Sequence, residues 1–506
     1  MRSILKLLLR ESLVNPSYNM NQIPICRHPI KLLPLDDRVI LRAFLPGTDA
    51  GIKAILQRVL HRSEAEVARQ LKSVCRDFSE RHYDIEELLL ANYKKVEGHI
   101  SKPGTLTTDR KLLIGAYFSG EYSLESAALF NPSIVPHPDQ TGAPKGGLRF
   151  IMSLRATGEG HISSIEFRAG TILQSGKIEM DDISRYVTQP EVIVDPAYHK
   201  PSFLLKLKEM GLQSNFVLNA LSSLGDVFNF GELERSLSSM RLEPHERTHH
   251  FERNLEFIQW LADSNYDIHF SKKLAISERI IFPVSLNESK GIEDARFVHF
   301  VEDDGSSIYY ATYTAYNGHN ILPQLIETKD FLHFRILTLN GNGVQNKGMA
   351  LFPRRIGGRY AMLSRQDDEN LLIMFSNSPH HWSNPKVILR PEQPWESVKI
   401  GNCGSPIETD AGWLVITHGV GPMRQYAIGA ALLDLNDPTK VIGRLKAPLI
   451  VATAEEREGY VPNVVYSCGS MLHGDTLILP YAISDSATVI ASIPLPQLLQ
   501  ALQNKQ

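Results

Sequence analysis

The amino-acid sequence predicts a mainly β fold, and more closely a five-bladed β-propeller with a helical N-terminal region and a helical insertion. From about residue 110, short apolar runs are separated by Gly, Asn, Asp and Pro, and no helical pattern lies between them in the C-terminal half. Several runs end in a polar residue, and the ends Tyr316, Arg365, His418 and Asp485 lie 49, 53 and 67 residues apart. Units of about four strands that repeat every 40–50 residues or so are typical of propeller blades. A fifth end, Arg155, precedes Tyr316 by 161 residues, which leaves room for an insertion.

Residues 1–110 are predicted to form the helical N-terminal region. Ile52 and Leu56 recur at helical spacing. Ser63 and Glu66 have the spacing of a capping box, which marks the start of a helix. Apolar stripes of this kind pack on the rest of the chain or on a second subunit.

Residues 111–500 are predicted to form the propeller, which a helical insertion interrupts at about 200–262. Leu255 and Ile258 belong to one apolar stripe at helical spacing in that insertion. The runs that we predict as strands are 150–155, 162–167, 309–316, 360–365, 371–376, 413–418, 426–433 and 477–485.

Composition excludes several classes of protein. The chain has 506 residues, 43% of them hydrophobic, which is ample for a buried core and excludes global disorder. A formal net charge of -3 gives no reason to expect a nucleic-acid partner. The four cysteines are widely spaced without a CxxC pair, so they indicate neither a disulfide framework nor a cysteine zinc site. They are Cys26, Cys75, Cys403 and Cys468.

The start of the chain carries no recognisable targeting signal. Lys6 interrupts the first apolar patch and Arg10 follows it, whereas a secretory signal needs about 7–15 apolar residues and a cleavage site. No apolar run approaches the roughly 20 residues of a membrane helix. We therefore expect a cytoplasmic protein with no membrane partner, whose translation begins at Met1 or Met20.

One metal-binding pattern is present but weak. His245, Glu246 and His249 match HExxH, which can place two imidazoles on one helix face for zinc. Arg247 puts a charge where such helices usually carry uncharged residues, and no third histidine follows at Gly-x-x-His spacing. We interpret the segment as a solvated helix start, and we expect no metal. Because GxGxxG, GxxxxGK[ST] and GxSxG are absent, we expect no organic cofactor and no serine nucleophile.

Polar residues cluster at the ends of the predicted strands. Each one alone is most simply a solvated ion-pair partner. Together, flanked by apolar strands and by Gly-rich loops that allow backbone to approach a ligand, they look like one site. The segments that carry them are 291–296, 313–318, 346–348, 360–365, 399–406 and 412–420.

Several of these segments resemble glycoside hydrolase family 130. The similar segments are NPSIV (131–135), IEDAR (292–296), YTAYNG (313–318), NKGMALFP (346–353), GNCGSPIETDAGWLVITHGV (401–420), YAIGAALLDLNDP (426–438), YVPNVVYSCG (460–469) and PYAISD (480–485). The resemblance covers about 120–190 and 280–495 in consistent order. It implies a five-bladed propeller, in agreement with the strand spacing. The family comprises β-mannoside phosphorylases and some β-mannosidases.

The resemblance also implies roles for individual residues. Asp294 is the catalytic acid, which relays its proton through the 3-hydroxyl of the substrate. Lys347, Arg365, Lys399 and His418 match the positions that bind phosphate, and all four are cationic or potentially so. The residues that match the sugar subsite are Asn131, Arg155, Arg296, Tyr316 and Asp485.

These roles point to an inverting phosphorylase that converts a β-mannoside and inorganic phosphate to α-mannose 1-phosphate, reversibly. A hydrolase needs a second carboxylate to activate water, whereas phosphate arrives as an anion and needs cationic donors. The expected partners are thus a β-mannoside oligosaccharide and inorganic phosphate as co-substrate. Two alternatives stay open: a hydrolytic β-mannosidase, for example on β-1,2-mannosides, and a non-catalytic sugar-binding propeller.

Two features depart from the family pattern. Ala295 stands where many members have proline, so the loop of the acid can sit differently. The insertion at about 200–262 lies outside the family core, where it can cover the pocket or build an oligomer contact. Self-association through the helical regions is therefore a further expectation.

Overall fold

A computed structural model describes residues 23–193, 197–209, 211–212, 215–242 and 249–504. Within these ranges the chain forms nine α-helices and thirty strands, so the prediction of a mainly β fold is confirmed. Residues 245–248 of the HExxH segment and both candidate starts, Met1 and Met20, lie outside the described residues.

The helices fall into two groups of four and a final one. They are α1 (Asp49–Leu60), α2 (Glu64–Phe78), α3 (Ile85–Lys94), α4 (Thr108–Tyr117), α5 (Lys200–Glu209), α6 (Asn215–Ser222), α7 (Phe230–Leu242), α8 (His249–Asp263) and α9 (Leu495–Gln503). The capping box before α2 is confirmed, because Ser63 Oγ accepts from the Glu66 amide and Glu66 Oε2 accepts from the Ser63 amide. Ile52 and Leu56 are buried on the inner face of α1.

The strands are β1 (Cys26–Leu32), β2 (Val39–Ala43), β3 (Ser119–Ser123), β4 (Ala128–Pro136), β5 (Leu148–Thr157), β6 (Ser163–Ile172), β7 (Ile178–Met180), β8 (Glu191–Ile193), β9 (Tyr198–His199), β10 (Val227–Phe228), β11 (Tyr266–His269), β12 (Ile280–Ile281), β13 (Ile292–Val301), β14 (Ser307–Tyr316), β15 (Ile321–Thr328), β16 (His333–Thr338), β17 (Ala350–Leu351), β18 (Tyr360–Ser364), β19 (Leu371–Ser376), β20 (Lys386–Leu389), β21 (Lys399–Asn402), β22 (Ile407–Thr409), β23 (Gly412–Val420), β24 (Tyr426–Leu433), β25 (Val441–Arg444), β26 (Ile450–Val451), β27 (Val465–Tyr466), β28 (Met471–His473), β29 (Thr476–Ile483) and β30 (Ala487–Pro494). Every predicted strand overlaps one of them, although the predicted ends Arg365 and Asp485 lie just beyond β18 and β29.

Five antiparallel sheets of four or more strands make up the β structure of the described residues. Sheet 1 has the order β12-β6-β5-β4 with β7 on β6, and sheet 2 has the order β13-β14-β15-β16-β11-β8. Sheet 3 is β17-β18-β19-β20, and sheet 4 is β21-β23-β24-β25 with β22 and β26 added. Sheet 5 is β1-β30-β29-β27 with β28 on β29. Two further pairs, β2 with β3 and β9 with β10, stand apart.

Each of the five sheets contacts the next one along the chain, and the fifth contacts the first. The contacting strands are β4 with β13, β14 with β17, β18 with β21, β24 with β27 and β29 with β4. Apolar side chains fill the space between successive sheets; examples are Phe167 and Phe297, Phe300 and Met362, Ile373 and Trp413, Leu432 and Leu479, and Ile478 and Phe150. Burial of each such side chain contributes about 1.5–3 kcal/mol, so these layers hold the sheets together.

The helical N-terminal region predicted at 1–110 needs correction at its start. β1 and β2 precede the first helix, and β1 is the outer strand of sheet 5. Cys26 lies opposite Ser492 of β30, so the partner of β1 is at the other end of the sequence. A short strand with half-exposed side chains has no local signal strong enough to reveal so distant a partner.

The predicted insertion contains α5 to α8, which share an apolar core of their own. Phe203, Leu233, Leu255 and Ile258 are buried in it. No described helix combines the length and the apolar composition that a membrane span needs. The division into domains and self-association through these helices stay predictions.

A network of four buried ionisable side chains ties distant parts of the chain together. Arg38, between β1 and β2, pairs with Glu125 at 2.7 Å and with Glu166 of β6 at 2.8 Å. Arg168 pairs with the same two carboxylates at 2.6 and 3.1 Å. All four side chains are at most 1% exposed, and burial with the charge of Glu166 raises the pKa of Glu125 to about 8. Glu125 therefore holds a proton at neutral pH, whereas Arg38 and Arg168 keep Glu166 ionised.

Candidate active site

Asn131 and Asp294 lie in β-bulges of two contacting strands, β4 and β13. The β4–β5 register skips between Phe130 and Ser133, and the β13–β14 register skips at Asp294 in the same way. Both residues have positive φ, 49° at Asn131 and 56° at Asp294, a conformation that costs a non-glycine residue about 1–3 kcal/mol. A bulge re-aims the side chain it carries, and here it brings the two side chains together.

Asp294 is buried among donors and cations. Asn131 Nδ2 donates to Asp294 Oδ1 at 2.7 Å, and Arg155 Nη1 lies 3.5 Å from the same oxygen. Arg296 Nη1 donates to the Asp294 carbonyl oxygen at 3.0 Å. Burial alone would raise the pKa of Asp294, but the charges of Arg155, Arg296 and Lys347 and the hydrogen bond from Asn131 outweigh it and lower the pKa. The carboxyl group is therefore ionised at neutral pH in this structure.

Glu293, a residue that sequence reasoning missed, bridges two of the predicted site cations. Arg155 Nη2 donates to Glu293 Oε1 at 3.0 Å, and Lys347 Nζ donates to Glu293 Oε2 at 3.3 Å. The residue stands directly before Asp294 in the IEDAR segment, and this position was the only signal available. Glu293 thereby links the loop of Lys347 to sheets 1 and 2.

Asp485 occupies the turn between β29 and β30, with a φ of 49°. Burial and then the negative charge of Asp294 raise its pKa to about 6, against the opposing charges of Arg155, Lys347 and Arg424. The two carboxyl groups thus titrate in one electrostatic field. Tyr316, by contrast, donates its hydroxyl to the Gly318 carbonyl at 3.0 Å, and its described contacts include no other predicted site residue.

Arg365 and His418 form a buried pair at the ends of β18 and β23. Arg365 Nη1 lies 3.1 Å from His418 Nε2, and His418 Nδ1 lies 3.1 Å from the Asn402 carbonyl oxygen. Because a guanidinium can only donate, Nε2 is the acceptor and the proton resides on Nδ1. Burial and the charges of Arg365 and Arg296 lower the pKa of His418 well below its usual range. Of the four predicted phosphate ligands, His418 is therefore a neutral ring that orients Arg365.

Gly401 of β21 makes room for this pair. A Cβ atom at Gly401 would lie 2.5 Å from His418 Cε1 and 3.3 Å from Arg365 Cδ. Both distances are shorter than ordinary van der Waals contact, so only glycine allows the two side chains to cross this strand.

Asp368, a second residue that sequence reasoning missed, pairs with two of the predicted phosphate ligands. Asp368 Oδ1 lies 3.3 Å from Arg365 Nη2, and Lys399 Nζ donates to Asp368 Oδ2 at 2.7 Å. These contacts outweigh the effect of burial and lower the pKa of Asp368, so it stays ionised. Asp368 follows Arg365 by three residues in the turn after β18, and nothing in the turn sequence distinguishes it from Asp367.

Tyr466 and Asn402 join the two halves of the site. Arg296 Nη2 donates to Tyr466 Oη at 2.6 Å, and the Tyr466 ring lies 4.9 Å from the His418 ring. Asn402 Nδ2 donates to the Gly348 carbonyl at 2.7 Å, next to Lys347. Nine of the ten predicted site residues are thus connected by contacts or by charge, with Tyr316 as the exception. Their roles stay predictions.

No set of three or more His, Cys, Asp or Glu side chains within the described ranges is arranged to hold a metal ion. All four cysteines are free, and burial raises the pKa of the Cys403 thiol to about 12. The site therefore consists of carboxylates, guanidinium and ammonium groups, one neutral imidazole and amides.

A buried carboxylate beside two groups of cations is the kind of site where a sugar and an anion can meet. Residues 246–504 match the family model described as β-1,4-mannooligosaccharide phosphorylase. The chain belongs to glycoside hydrolase family 130, and the resemblance found in the sequence is confirmed.

Individual relatives are similar over much of their length. The chain is 30% identical over 325 residues to β-1,2-mannobiose phosphorylase of Listeria innocua, covering 62% of this chain and 83% of that protein. It is 36% identical over 233 residues to 1,2-β-oligomannan phosphorylase of Thermoanaerobacter sp., covering 44% and 75% respectively. A solved structure of the Listeria innocua enzyme with β-1,2-mannobiose aligns at a TM-score of 0.45 and 22% identity, covering 76% of this chain and 93% of that one.

Proposed function

We propose that this protein is an inverting phosphorylase that cleaves a β-mannoside with inorganic phosphate and releases α-mannose 1-phosphate. The observation that carries the proposal is the presence of Lys347, Arg365 and Lys399 in the same side-chain network as the buried carboxylate of Asp294. Cations of this kind bind a phosphate dianion by charge-assisted hydrogen bonds. The relatives named as phosphorylases of β-1,2- and β-1,4-linked mannosides support the same reaction.

The five sheets are, in this proposal, the blades of a five-bladed β-propeller. Their cyclic order of contacts supports it, because the last sheet contacts the first. The pairing of β1 with β30 supports it as well, since a propeller ring is closed by strands from both ends of the chain. The predicted site residues would then surround the axis of the ring.

The proposed reaction exchanges one bond at the anomeric carbon for another. A phosphate oxygen attacks C1 of the mannosyl residue from the face opposite the glycosidic oxygen, and the C1–O bond to the leaving sugar breaks. The leaving oxygen takes the proton that Asp294 supplies through the 3-hydroxyl of the mannosyl residue. The products are α-mannose 1-phosphate and the shortened sugar, and the reverse reaction uses the same groups.

Asp294 must carry a proton for this step, although its pKa is lowered by neighbouring cations. Phosphate supplies an explanation. A dianion bound beside Lys347 cancels part of the positive field, and Coulomb's law then requires the pKa of Asp294 to rise. Binding of phosphate would thereby favour the protonated form of Asp294, so that cleavage of the mannoside depends on bound phosphate.

The hydrolytic alternative is favoured by one observation, the two extra carboxylates Glu293 and Asp368 among the cations. A carboxylate on the face opposite the leaving group could activate water in place of phosphate. The third possibility, a sugar-binding protein without activity, predicts no turnover of any mannoside.

Product analysis separates these possibilities. The protein is incubated with β-1,2- and β-1,4-linked mannosides, with and without inorganic phosphate, and sugar phosphate and free mannose are measured. We expect mannose 1-phosphate only when phosphate is present, and a loss of about 10³-fold or more for Asp294→Asn at unchanged sugar binding. Free mannose released at an undiminished rate without phosphate would establish hydrolysis, and absence of both products would leave the sugar-binding alternative.

A further inference from the structure

The cations predicted to bind phosphate are already bridged by a carboxylate of the protein itself. Asp368 contacts Lys399 at 2.7 Å and Arg365 at 3.3 Å, through different oxygens. Its carboxylate thus uses two oxygens on two cations, as a phosphate group would. The side chain of Asp368 is 52% exposed, whereas those of Arg365 and Lys399 are 8% and 20% exposed.

Asp368 can leave these cations without disturbing the chain around it. The turn that carries it is held by Asp367, whose Oδ1 accepts from the amides of Glu369 and Asn370 at 3.0 and 2.8 Å. Rotation of the Asp368 side chain alone therefore releases both cations, together with its hydrogen bond to the Asn346 side chain. Because Asp368 is half exposed, solvent hydrates the released carboxylate, whereas Arg365 and Lys399 stay largely buried and need an anion in its place.

We propose that Asp368 is an exchangeable counter-ion of the phosphate subsite, which occupies Lys399 and Arg365 until inorganic phosphate displaces it. This inference rests on the proposed phosphorylase function. Inorganic phosphate is partly a dianion at neutral pH and offers more oxygens than a carboxylate, so it outcompetes a single carboxylate for the same cations. Asp368 weakens phosphate binding in this way, and it sets the phosphate concentration at which the enzyme works.

The test is the effect of Asp368→Asn on the kinetics of phosphorolysis. The substitution keeps the size of the side chain and removes its charge, so the Michaelis constant KM for phosphate falls by about two- to tenfold. The rate constant kcat changes by less than about twofold, because the amide takes no part in bond breaking. Asp368→Glu restores a competing carboxylate and returns KM towards the wild-type value.

A matched control is Asp437→Asn. Asp437 also pairs with a lysine in a turn, Lys440 at 3.2 Å, but there both side chains are exposed, and Asp437 has no described contact with the predicted site residues. This variant leaves KM for phosphate unchanged. A second test uses Lys399→Ala, which raises KM for phosphate; in that background Asp368→Asn lowers KM by a smaller factor, because one of the two contested cations is gone.

Three outcomes overturn the inference. An unchanged or increased KM for phosphate in Asp368→Asn means that the carboxylate does not compete with phosphate or holds the cations in place for it. A large loss of kcat assigns Asp368 to the chemical step.

If the asparagine variant does not fold, Asp368→Ser takes its place, and its affinity for inorganic phosphate is measured by calorimetric titration. Wild-type turnover that needs no phosphate refutes the phosphorylase function itself, whereas phosphate-dependent turnover without the Asp368 effect refutes only the counter-ion.

Discussion

Among individual residues, Asp294 and Asp485 lie in one group of charges, yet their pKa values shift in opposite directions. The cations next to Asp294 lower its pKa, whereas burial and the charge of Asp294 raise the pKa of Asp485 to about 6. Environments that separate the pKa values of two acids are typical of sites that move protons. Of these two, Asp485 is consequently the carboxyl group whose charge changes nearer to neutral pH.

Asp485→Asn replaces a carboxyl group whose ionised form is less favourable in the folded than in the unfolded protein. The pKa of Asp485 rises from 3.8 to about 6 on folding, so the folded protein holds the proton more tightly. Stability is then lost as pH increases from about 4 to about 6. We expect the variant to come close to the wild type at pH 4 and to exceed its unfolding free energy by about 3 kcal/mol at pH 7. Calorimetric melting temperatures from pH 4 to 8 measure this, and a difference that does not vary with pH would contradict it.

The sequence allowed the basic residues of the site to be predicted, but not their protonation states or their ion-pair partners. The motifs around Arg365, Lys399 and His418 led us to expect these residues in one site, and in the structure Arg365 contacts His418 and shares Asp368 with Lys399. The neutrality of His418 could not be predicted, because it arises from burial and from a guanidinium 53 residues away along the chain. Asp368 was missed for a similar reason, since a turn aspartate shows its partners only after folding.

At the scale of secondary-structure elements, strand β21 has a backbone that shapes the site directly. Gly401→Ala would place a methyl group 2.5 Å from His418 and would displace the Arg365 guanidinium. We expect kcat/KM for phosphate to fall by about tenfold or more, since overpacking of this kind costs about 1–3 kcal/mol. Steady-state kinetics with varied phosphate measures the effect.

The control for this variant is Gly98→Ala. An added Cβ at Gly98 meets no atom within 4 Å, so this exchange should leave both kinetics and melting temperature unchanged. A Gly401→Ala enzyme with wild-type phosphate kinetics would show that the close packing over β21 has no functional importance.

Strands were predicted well, but their irregularities were not. The alternation of apolar and turn residues located β18, β19 and β24 to within a residue or two, because these strands are apolar runs with turn residues at both ends. The bulges at Asn131 and Asp294 depend on pairing with a neighbouring strand, and the sequence carries no local sign of them.

On the scale of the whole molecule, the buried charges around Arg38 connect the N-terminal segment to sheet 1. Arg38→Ala leaves the buried Glu166 carboxylate with Arg168 as its remaining guanidinium partner, and it removes the donor to the Ser277 carbonyl. Loss of one partner from a buried ion network costs about 3–5 kcal/mol. We expect that decrease in the free energy of unfolding, measured by urea denaturation.

Arg76→Ala serves as the comparison, because Arg76 pairs with Asp77 on the surface at 73% and 48% exposure. We expect a change below about 1 kcal/mol there. Equal effects of the two substitutions would show that the buried network adds nothing beyond a surface pair.

The succession of the sheets could be predicted where polar strand ends recur at regular spacing in the sequence. The position of β1, which lies outside that repeat, could not. Regular spacing of Tyr316, Arg365 and His418 reflects the succession of sheets 2, 3 and 4. β1 has no counterpart in that repeat, because it supplies only one strand of a sheet whose other members lie near residue 490. Pairing between strands so distant in sequence depends on the tertiary structure and not on local sequence.

The pairing of β1 with β30 has a consequence for the order of events on the ribosome. His28 and Ser492, joined by a side-chain hydrogen bond of 2.6 Å, are 464 residues apart. At about 5–20 residues per second, roughly 25–90 s of translation separate the two strands. During that time β1 has no partner in sheet 5, while sheets 1 to 4 can already form. β1 therefore stays without its sheet 5 partner until β30 has been synthesised.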